Sequence, residues 1–275
     1  MSNRAALLQM TSGIDPAANA RTLVKAVGDA KAGGATMLFT PEMSGLLDGK
    51  RDRAAASLWH EHDDPVLAAV RDAAAKHGIW VHIGSLAILR EEGKLANRGF
   101  VIDDAGEIRA RYDKMHLFDV DLPTGESWRE SNSYAPGERA VTVKTPLGVL
   151  GLAICYDLRF PDLFRSLSNA GATILALPAA FTRPTGAAHW HVLLRARAIE
   201  AAAFVIASAQ TGVHEDGRAT YGHSLVSDPW GELLLDMGDP AGLGFADIDP
   251  RRVEDARSRV PVLQHRRAIP EVEAL

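Results

Sequence analysis

Cysteine occurs once in these 275 residues, so no disulfide can form within the chain and no pair of thiolates can hold a metal ion. Basic residues are not in excess: 30 Lys and Arg face 35 Asp and Glu, giving a net charge of -5. With the arginines scattered along the chain, the basic footprint of a nucleic-acid binder is missing. No apolar run approaches the ~20 residues that span a bilayer. No charged-then-apolar leader opens the sequence, which together with the lone thiol predicts a reducing, cytoplasmic location. The 45–50 stretch has one residue too few between its glycines for a phosphate loop and no Ser or Thr after its lysine. Neither a linker-like stretch nor an internal repeat divides the chain, so one domain over 1–275 is expected.

What is present is an alternation of strand and helix. Residues 5–9 read as a strand, and Asp15-Pro16 opens a helix whose Leu23, Val24, Val27 and Ala30 share a face, before Gly33-Gly34 ends it. Residues 36–40 are apolar on both faces, as in a buried parallel strand, and run into Pro41-Glu42. A helix over 65–77 and a strand over 79–89 follow. Residues 99–103 and 107–112 flank a hairpin turn at Asp104-Ala105-Gly106. Residues 116–137 show no period but hold Phe118, Trp128 and several carboxylates, which suggests an ordered active-site loop. A second hairpin, 141–143 with 149–154, leads to Cys155. Helices over 161–170 and 188–202, and strands over 173–177, 204–209, 221–227, 232–235 and 243–248, complete an α/β pattern. The strands are too many and too often hairpinned for a simple doubly wound sheet, so two packed sheets covered by helices are expected.

Cys155 stands where the apolar run Val149-Leu150-Gly151-Leu152-Ala153-Ile154 meets the polar turn Tyr156-Asp157-Leu158-Arg159-Phe160-Pro161. A thiol at a strand's carboxyl end, next to backbone N–H groups that favour a thiolate, suits a nucleophile; a buried and inert cysteine is the other reading. A nucleophile needs a base, and His116, His189, His214 and His223 lie nearest to apparent loops. His189 and His191, two apart on a helix, point to different faces and make a poor metal pair.

Three segments form a set: Phe39-Thr40-Pro41-Glu42, Arg111-Tyr112-Asp113-Lys114-Met115-His116-Leu117-Phe118, and Gly151 through Pro161 around Cys155. Together they resemble the carbon-nitrogen hydrolase (nitrilase-like) superfamily. Asp119-Val120-Asp121-Leu122-Pro123, Glu130-Ser131-Asn132-Ser133, Tyr221-Gly222-His223-Ser224 and the 189–200 and 260–267 stretches resemble its Nit branch. Ser131-Asn132-Ser133 and Ala209-Gln210-Thr211-Gly212-Val213-His214 are more similar to the members acting on deaminated glutathione than to ω-amidases.

The resemblance implies a four-layer α-β-β-α sandwich that forms a homodimer or higher homo-oligomer, with 258–275 at the interface. It implies Glu42 as general base, Lys114 as the cation for the tetrahedral intermediate and Cys155 as nucleophile. Glu130 would contact Lys114, the Tyr156 backbone N–H would help bind the oxyanion, and Arg159 and Thr185 would hold a substrate carboxylate. Asp113 stands where the branch often has arginine. The implied reaction converts a primary carboxamide of a small anionic α-keto acid to carboxylate and ammonia through a thioester, with no metal or organic cofactor. Deaminated glutathione is the implied substrate and metabolite repair the role. α-Ketoglutaramate (an ω-amidase) and N-carbamoyl compounds are the alternatives. Outside hydrolysis stand a catalytically silent interaction protein on the same scaffold and a peroxide-sensing thiol.

Overall fold

The computed structural model describes residues 3–121, 125 and 127–274. Leu122 and Pro123 of the Asp119-to-Pro123 motif, Thr124 and Glu126 of the 116–137 loop, and Leu275 lie outside the described residues.

A first sheet begins with β1 (Arg4–Gln9), β2 (Met37–Phe39) and β3 (Trp80–Leu89), which run parallel, and continues through the antiparallel β4 (Leu95–Ile102) and β5 (Ile108–Asp113). A small ribbon of β6 (Asp119–Asp121) and β7 (Ser127–Arg129) interrupts the chain. The second sheet holds β8 (Thr142–Thr145), then the parallel β9 (Gly148–Leu152), β10 (Ile174–Ala176) and β11 (Phe204–Ala207). After another ribbon, β12 (Thr211–Val213) and β13 (Ala219–Tyr221), the antiparallel β14 (Leu225–Ser227) and β15 (Leu233–Asp236) finish that sheet, and β16 (Gly242–Asp247) returns to pair with β1. The strand orders are β16-β1-β2-β3-β4-β5 and β15-β14-β11-β10-β9-β8. Each sheet thus has three parallel strands at its centre and antiparallel strands at its flanks.

Side-chain alternation sorts the layers. From the first sheet, Ala5, Leu7, Met37 and Phe39 face Leu150, Leu152 and Ala176 of the second in one core. The opposite face, Ala6, Leu8, Leu38, Val81 and Ile83, packs under α1 (Pro16–Ala32) and, beyond the short α2 (Arg51–Ala54), α3 (Pro65–His77). The outer side of the second sheet is covered by α4 (Pro161–Asn169) and α5 (Arg183–Ala201), through Phe164, Leu167, Trp190 and Leu194. The four-layer α-β-β-α sandwich is therefore present. Asp15 and Asp64 cap α1 and α3 by accepting from backbone N–H groups of their first turns, each followed by proline, which suits a helix's first position.

Several boundaries differ from the sequence reading. β4 begins at Leu95 rather than 99, because Asn97 and Arg98 turn polar side chains to specific partners and so break the apolar pattern. The 221–227 stretch is not one strand: Gly222 and His223 both have positive φ and separate β13 from β14. α5 starts at Arg183, since Pro184 opens the helix. Two polar C-terminal helices, α6 (Arg251–Arg259) and α7 (Val262–His265), were not anticipated. Among the described residues, no helix is long and apolar enough to cross a membrane.

Candidate active site

Strand ends deliver the reactive side chains. Glu42 lies three residues past β2, Lys114 directly follows β5, and Cys155 opens a five-residue 3-10 turn, Cys155–Arg159, after β9. The first sheet thus supplies the carboxylate and the ammonium, and the second the thiol. The segment carrying Glu42 passes β3 so closely that a Cβ at Gly84 would strike the carbonyl oxygens of Thr40 and Pro41 and the ring of Pro178. Glycine is required there by space. Cys155 itself holds φ at +49° and Met43, next to Glu42, at +55°. Such left-handed backbone on side-chain-bearing residues is strained, and here it flanks two reactive groups.

The Lys114 Nζ lies 2.9 Å from Glu42 Oε1 and 2.9 Å from Glu130 Oε2. Glu42 Oε2 accepts from the Ala180 N–H at 2.9 Å, and the Cys155 thiol lies close enough for each group to shift the other's ionisation. Glu42 and Lys114 are 4% and 2% exposed, and Cys155 8%. Burial alone would raise the Glu42 carboxyl, but the Lys114 charge, the Cys155 thiol and the hydrogen bonds from Lys114 and Asn97 outweigh it and hold it below its ordinary value. Burial would likewise neutralise Lys114, yet the Glu130 and Glu42 charges keep it charged, well above its ordinary value. The thiol goes the other way: burial first, then the Glu42 charge, push Cys155 well above its ordinary value, and Lys114 does not reverse this.

The nearby N–H groups therefore do not favour a thiolate enough to offset burial and the Glu42 charge. The Cys155 N–H is spent on the Pro178 carbonyl at 2.9 Å, and a buried anion beside Glu42 is disfavoured twice. The resting pair is a neutral thiol and a carboxylate, the arrangement in which the carboxylate takes the proton as sulfur attacks. A buried, neutral thiol also lacks the exposed thiolate character of a peroxide sensor.

Around these groups is a cavity of about 440 Å³, within the usual range for small-molecule sites. Glu42, Lys114, Glu130, Cys155, Tyr156, Arg159 and Thr185 all line it. The Arg159 guanidinium leans over the Phe181 ring at 5.6 Å and meets His189 Nδ1 at 3.3 Å. The Thr185 hydroxyl bonds that of Thr182 at 2.8 Å. Tyr156 sits in the first turn of the 3-10 segment, where N–H groups have no carbonyl within the turn to bond. None of the candidate histidines lines the cavity. His116 bonds Asp157, His214 is buried against Ser12 and Thr220, and His189 lies behind Arg159. His191 and His223 each meet the Asp236 carboxylate at 2.9 Å, outside the cavity. Asp113 also faces away: both its oxygens pair with Arg98, which in turn holds Glu61.

Two residues that the sequence did not single out organise the site. The Asn97 amide donates to Glu42 Oε1 at 2.9 Å and to Glu130 Oε1 at 3.0 Å. Asp157, fully buried, accepts from the Tyr112 hydroxyl at 2.8 Å, the Ile154 N–H at 2.9 Å and the His116 N–H at 3.0 Å, and so anchors the Cys155 turn to β5 and the loop after Lys114. The period-two reading of a strand assigns Asn97 no partner, and only the two-sheet packing brings Asp157 to Tyr112.

Comparison with known proteins agrees with this geometry. The family description "Carbon-nitrogen hydrolase" matches residues 4–258. The chain is 38% identical to the deaminated glutathione amidase of Yersinia enterocolitica, over 96% of this chain and 93% of that one. The crystal structure of the C. elegans NitFhit protein superposes with a TM-score of 0.89 at 37% identity, over 96% of this chain and 65% of that longer one. A glutamate-to-glutamine mutant of an amidase from Nesterenkonia sp. AN1, 28% identical with a TM-score of 0.80 over 97% of this chain and 94% of that one, carries the acetamide moiety of fluoroacetamide covalently on its active-site cysteine. From its strand-end residues to its layers, this chain belongs to the carbon-nitrogen hydrolase family and is an amidase-type hydrolase.

Proposed function

We propose that Cys155, Glu42 and Lys114 are the catalytic residues and that the substrate is deaminated glutathione, which makes the protein a metabolite-repair amidase. The observation that carries the reading is the buried Glu42 carboxylate, bonded to the Lys114 ammonium at 2.9 Å and lining one cavity with the Cys155 thiol, whose ionisation it opposes. Glu42 accepts the thiol proton as sulfur attacks the amide carbon, and the oxyanion that forms is stabilised by Lys114 and the Tyr156 N–H. The carbon–nitrogen bond then breaks, with Glu42 protonating the departing nitrogen and leaving a thioester on Cys155. Water enters, gives its proton to Glu42 and attacks the thioester; the acid departs and the proton returns to sulfur. Glu130, bound to Lys114 and to the Phe118 N–H at 2.7 Å, positions the ammonium.

The scissile bond of deaminated glutathione corrects one expectation. Its amide nitrogen belongs to cysteinylglycine, so hydrolysis frees a dipeptide amine rather than the ammonia of a primary carboxamide. Of the two α-keto amides, only α-ketoglutaramate, the substrate of the less favoured ω-amidase reading, would give ammonia. Arg159 and Thr185 suit the α-keto acid end in either case, because a guanidinium fork accepts a carboxylate bidentately. The relatedness to a deaminated glutathione amidase at 38% identity supports the first substrate.

A homodimer built on α5 and the 258–275 segment is part of the proposal. Val192 and Ile199, one helical face of α5, are 68% and 51% exposed, Val260 is also exposed, and Arg266 ties the segment to the carbonyls of Arg165 and Glu200. Light scattering at micromolar concentration checks it, and a monomer there would rule it out. One domain and a cytoplasmic location fit the same picture, the latter through the single unpaired thiol. The function itself is tested by following cysteinylglycine release from deaminated glutathione and ammonia release from α-ketoglutaramate, with Cys155→Ala as blank. Turnover of the first at the higher kcat/KM, lost in the variant, supports the reading; activity on the second alone makes the enzyme an ω-amidase.

A further inference from the structure

The cavity contains more cationic capacity than one α-keto acid uses. Its carboxylates already have partners: Glu42 and Glu130 share Lys114, and Asp48 binds Arg53. Arg129, also at the lining, is held by both oxygens of Asp121. Among the described residues, three lining guanidiniums remain without a hydrogen-bonded carboxylate: Arg51, which is exposed, Arg159 and Arg218. Arg159 sits against Phe181 and His189, whereas Arg218 comes from the turn between β12 and β13 and stacks 4.6 Å above the Trp128 ring.

Arg218 and Trp128 are also where buried donors go unused. The Arg218 Nε and the Trp128 Nε1 are both shielded from solvent, and neither has a hydrogen-bond partner among the described residues. The nearest carboxylate, Asp216, approaches Arg218 Nη2 only at 3.4 Å while accepting the Gly49 N–H at 2.8 Å. Buried N–H groups left unpaired are costly, and here they belong to two stacked residues that both line the cavity, where an acceptor could satisfy them. Tyr134 links this wall to the reaction centre. Its hydroxyl is raised by burial and then by Glu130 and Glu42, and is drawn down by the charge of Arg218.

We propose that Arg218 and Trp128 form a second carboxylate subsite, which binds the C-terminal carboxylate of a peptidyl leaving group while Arg159 and Thr185 hold the α-keto acid end. The inference rests on the deaminated glutathione reading and deepens it. That substrate carries two carboxylates, one at each end, separated at the scissile amide by a dipeptide of about 7 Å extended reach. α-Ketoglutaramate has only the first. The subsite is thus what separates a repair amidase from an ω-amidase in this cavity: a guanidinium Nε–H and an indole N–H, both unpaired until the tail arrives, favour the substrate with a tail and gain nothing from the one without.

The test compares deaminated glutathione with its C-terminal carboxamide, which differs only in the charge and acceptor capacity of the tail, using the wild type, Arg218→Gln, Arg218→Lys and Trp128→Phe. The wild type is expected to prefer the free acid by about ten- to a hundredfold in kcat/KM, mostly through KM, as the loss of a charge-assisted hydrogen bond implies. Arg218→Gln should abolish that preference, Arg218→Lys should keep part of it, and Trp128→Phe should reduce it. Equal turnover of acid and carboxamide by the wild type would overturn the subsite and leave the proposed function standing. A preference that survives in Arg218→Gln would do the same. Turnover of α-ketoglutaramate with none of deaminated glutathione would remove both, and thermal melting of each variant separates lost binding from lost folding.

Discussion

Asn97 donates one hydrogen bond to Glu42 and another to Glu130, so a single amide joins the two carboxylates between which Lys114 sits. Replacing it by Leu leaves the three charges in place but removes the group that orients both acids. We expect kcat to fall by about ten- to a hundredfold with KM little changed. Steady-state kinetics on the preferred substrate checks this, and a change confined to KM would contradict it.

The pH dependence follows from opposite displacements in one pair. On the proposed mechanism, activity of the free enzyme requires Glu42 ionised and Cys155 protonated. Glu42 is held below its ordinary value, so kcat/KM should decline only below about pH 4.3. Cys155 is held well above its own, so no alkaline loss from the thiol should appear until beyond about pH 8.5. Thiolate absorbance measured against Cys155→Ala should be absent at neutral pH; an acid limb near pH 6 or a resting thiolate would refute the assignment.

Lys114→Ala would leave Glu42 and Glu130 buried without their cation. Breaking a buried pair from one side costs about 3–5 kcal/mol, and urea unfolding should report a loss of that order together with loss of activity. The sign of the linkage is definite for the native protein. Because Glu42 titrates lower when folded, its contribution is present above its unfolded pKa and lost as pH falls through the folded one. The Lys114 contribution, raised when folded, is complete below its unfolded pKa and lost as pH rises. A stability plateau across neutral pH is expected, and unfolding midpoints against pH would reveal it.

Gly84→Ala adds one methyl group where the Thr40 and Pro41 carbonyls leave no space. Overpacking of about 1–3 kcal/mol is expected, and, because the displaced segment carries Glu42, kcat should fall more than the stability loss alone explains. Denaturant melts and kinetics on the same sample decide it. Wild-type kcat in a destabilised variant would show that the segment yields elsewhere.

Much of the site was legible because its residues sit at ends of apolar runs. Glu42, Lys114 and Cys155 each follow a strand, and local motifs around them carried the resemblance. The layers were legible too, from strand number and hairpin turns. What remained hidden depends on distant partners. Asn97 interrupts a strand pattern and looks like a boundary until Glu42 and Glu130 close on it. Asp157 reads as part of a polar turn until Tyr112 arrives from the other sheet. The protonation state of the thiol was not legible, because spacing shows the N–H groups near Cys155 but not that its own is taken by Pro178. The two C-terminal helices are largely polar and exposed, so no apolar stripe announces them.

The two sheets divide the reactive groups between them: Glu42, Asn97 and Lys114 extend from one, and Cys155 and the Ala180 N–H from the other. No stretch of chain from either half holds both acid and sulfur. During synthesis the first half emerges with a carboxylate that has nothing to deprotonate, and the second with a thiol that has no base. Hydrolytic competence therefore arrives in one step, when the sheets dock, and it leaves in one step when they part. On the proposed mechanism a form whose sheets have not docked has no turnover, so activity reads out whether the interior between the sheets is closed.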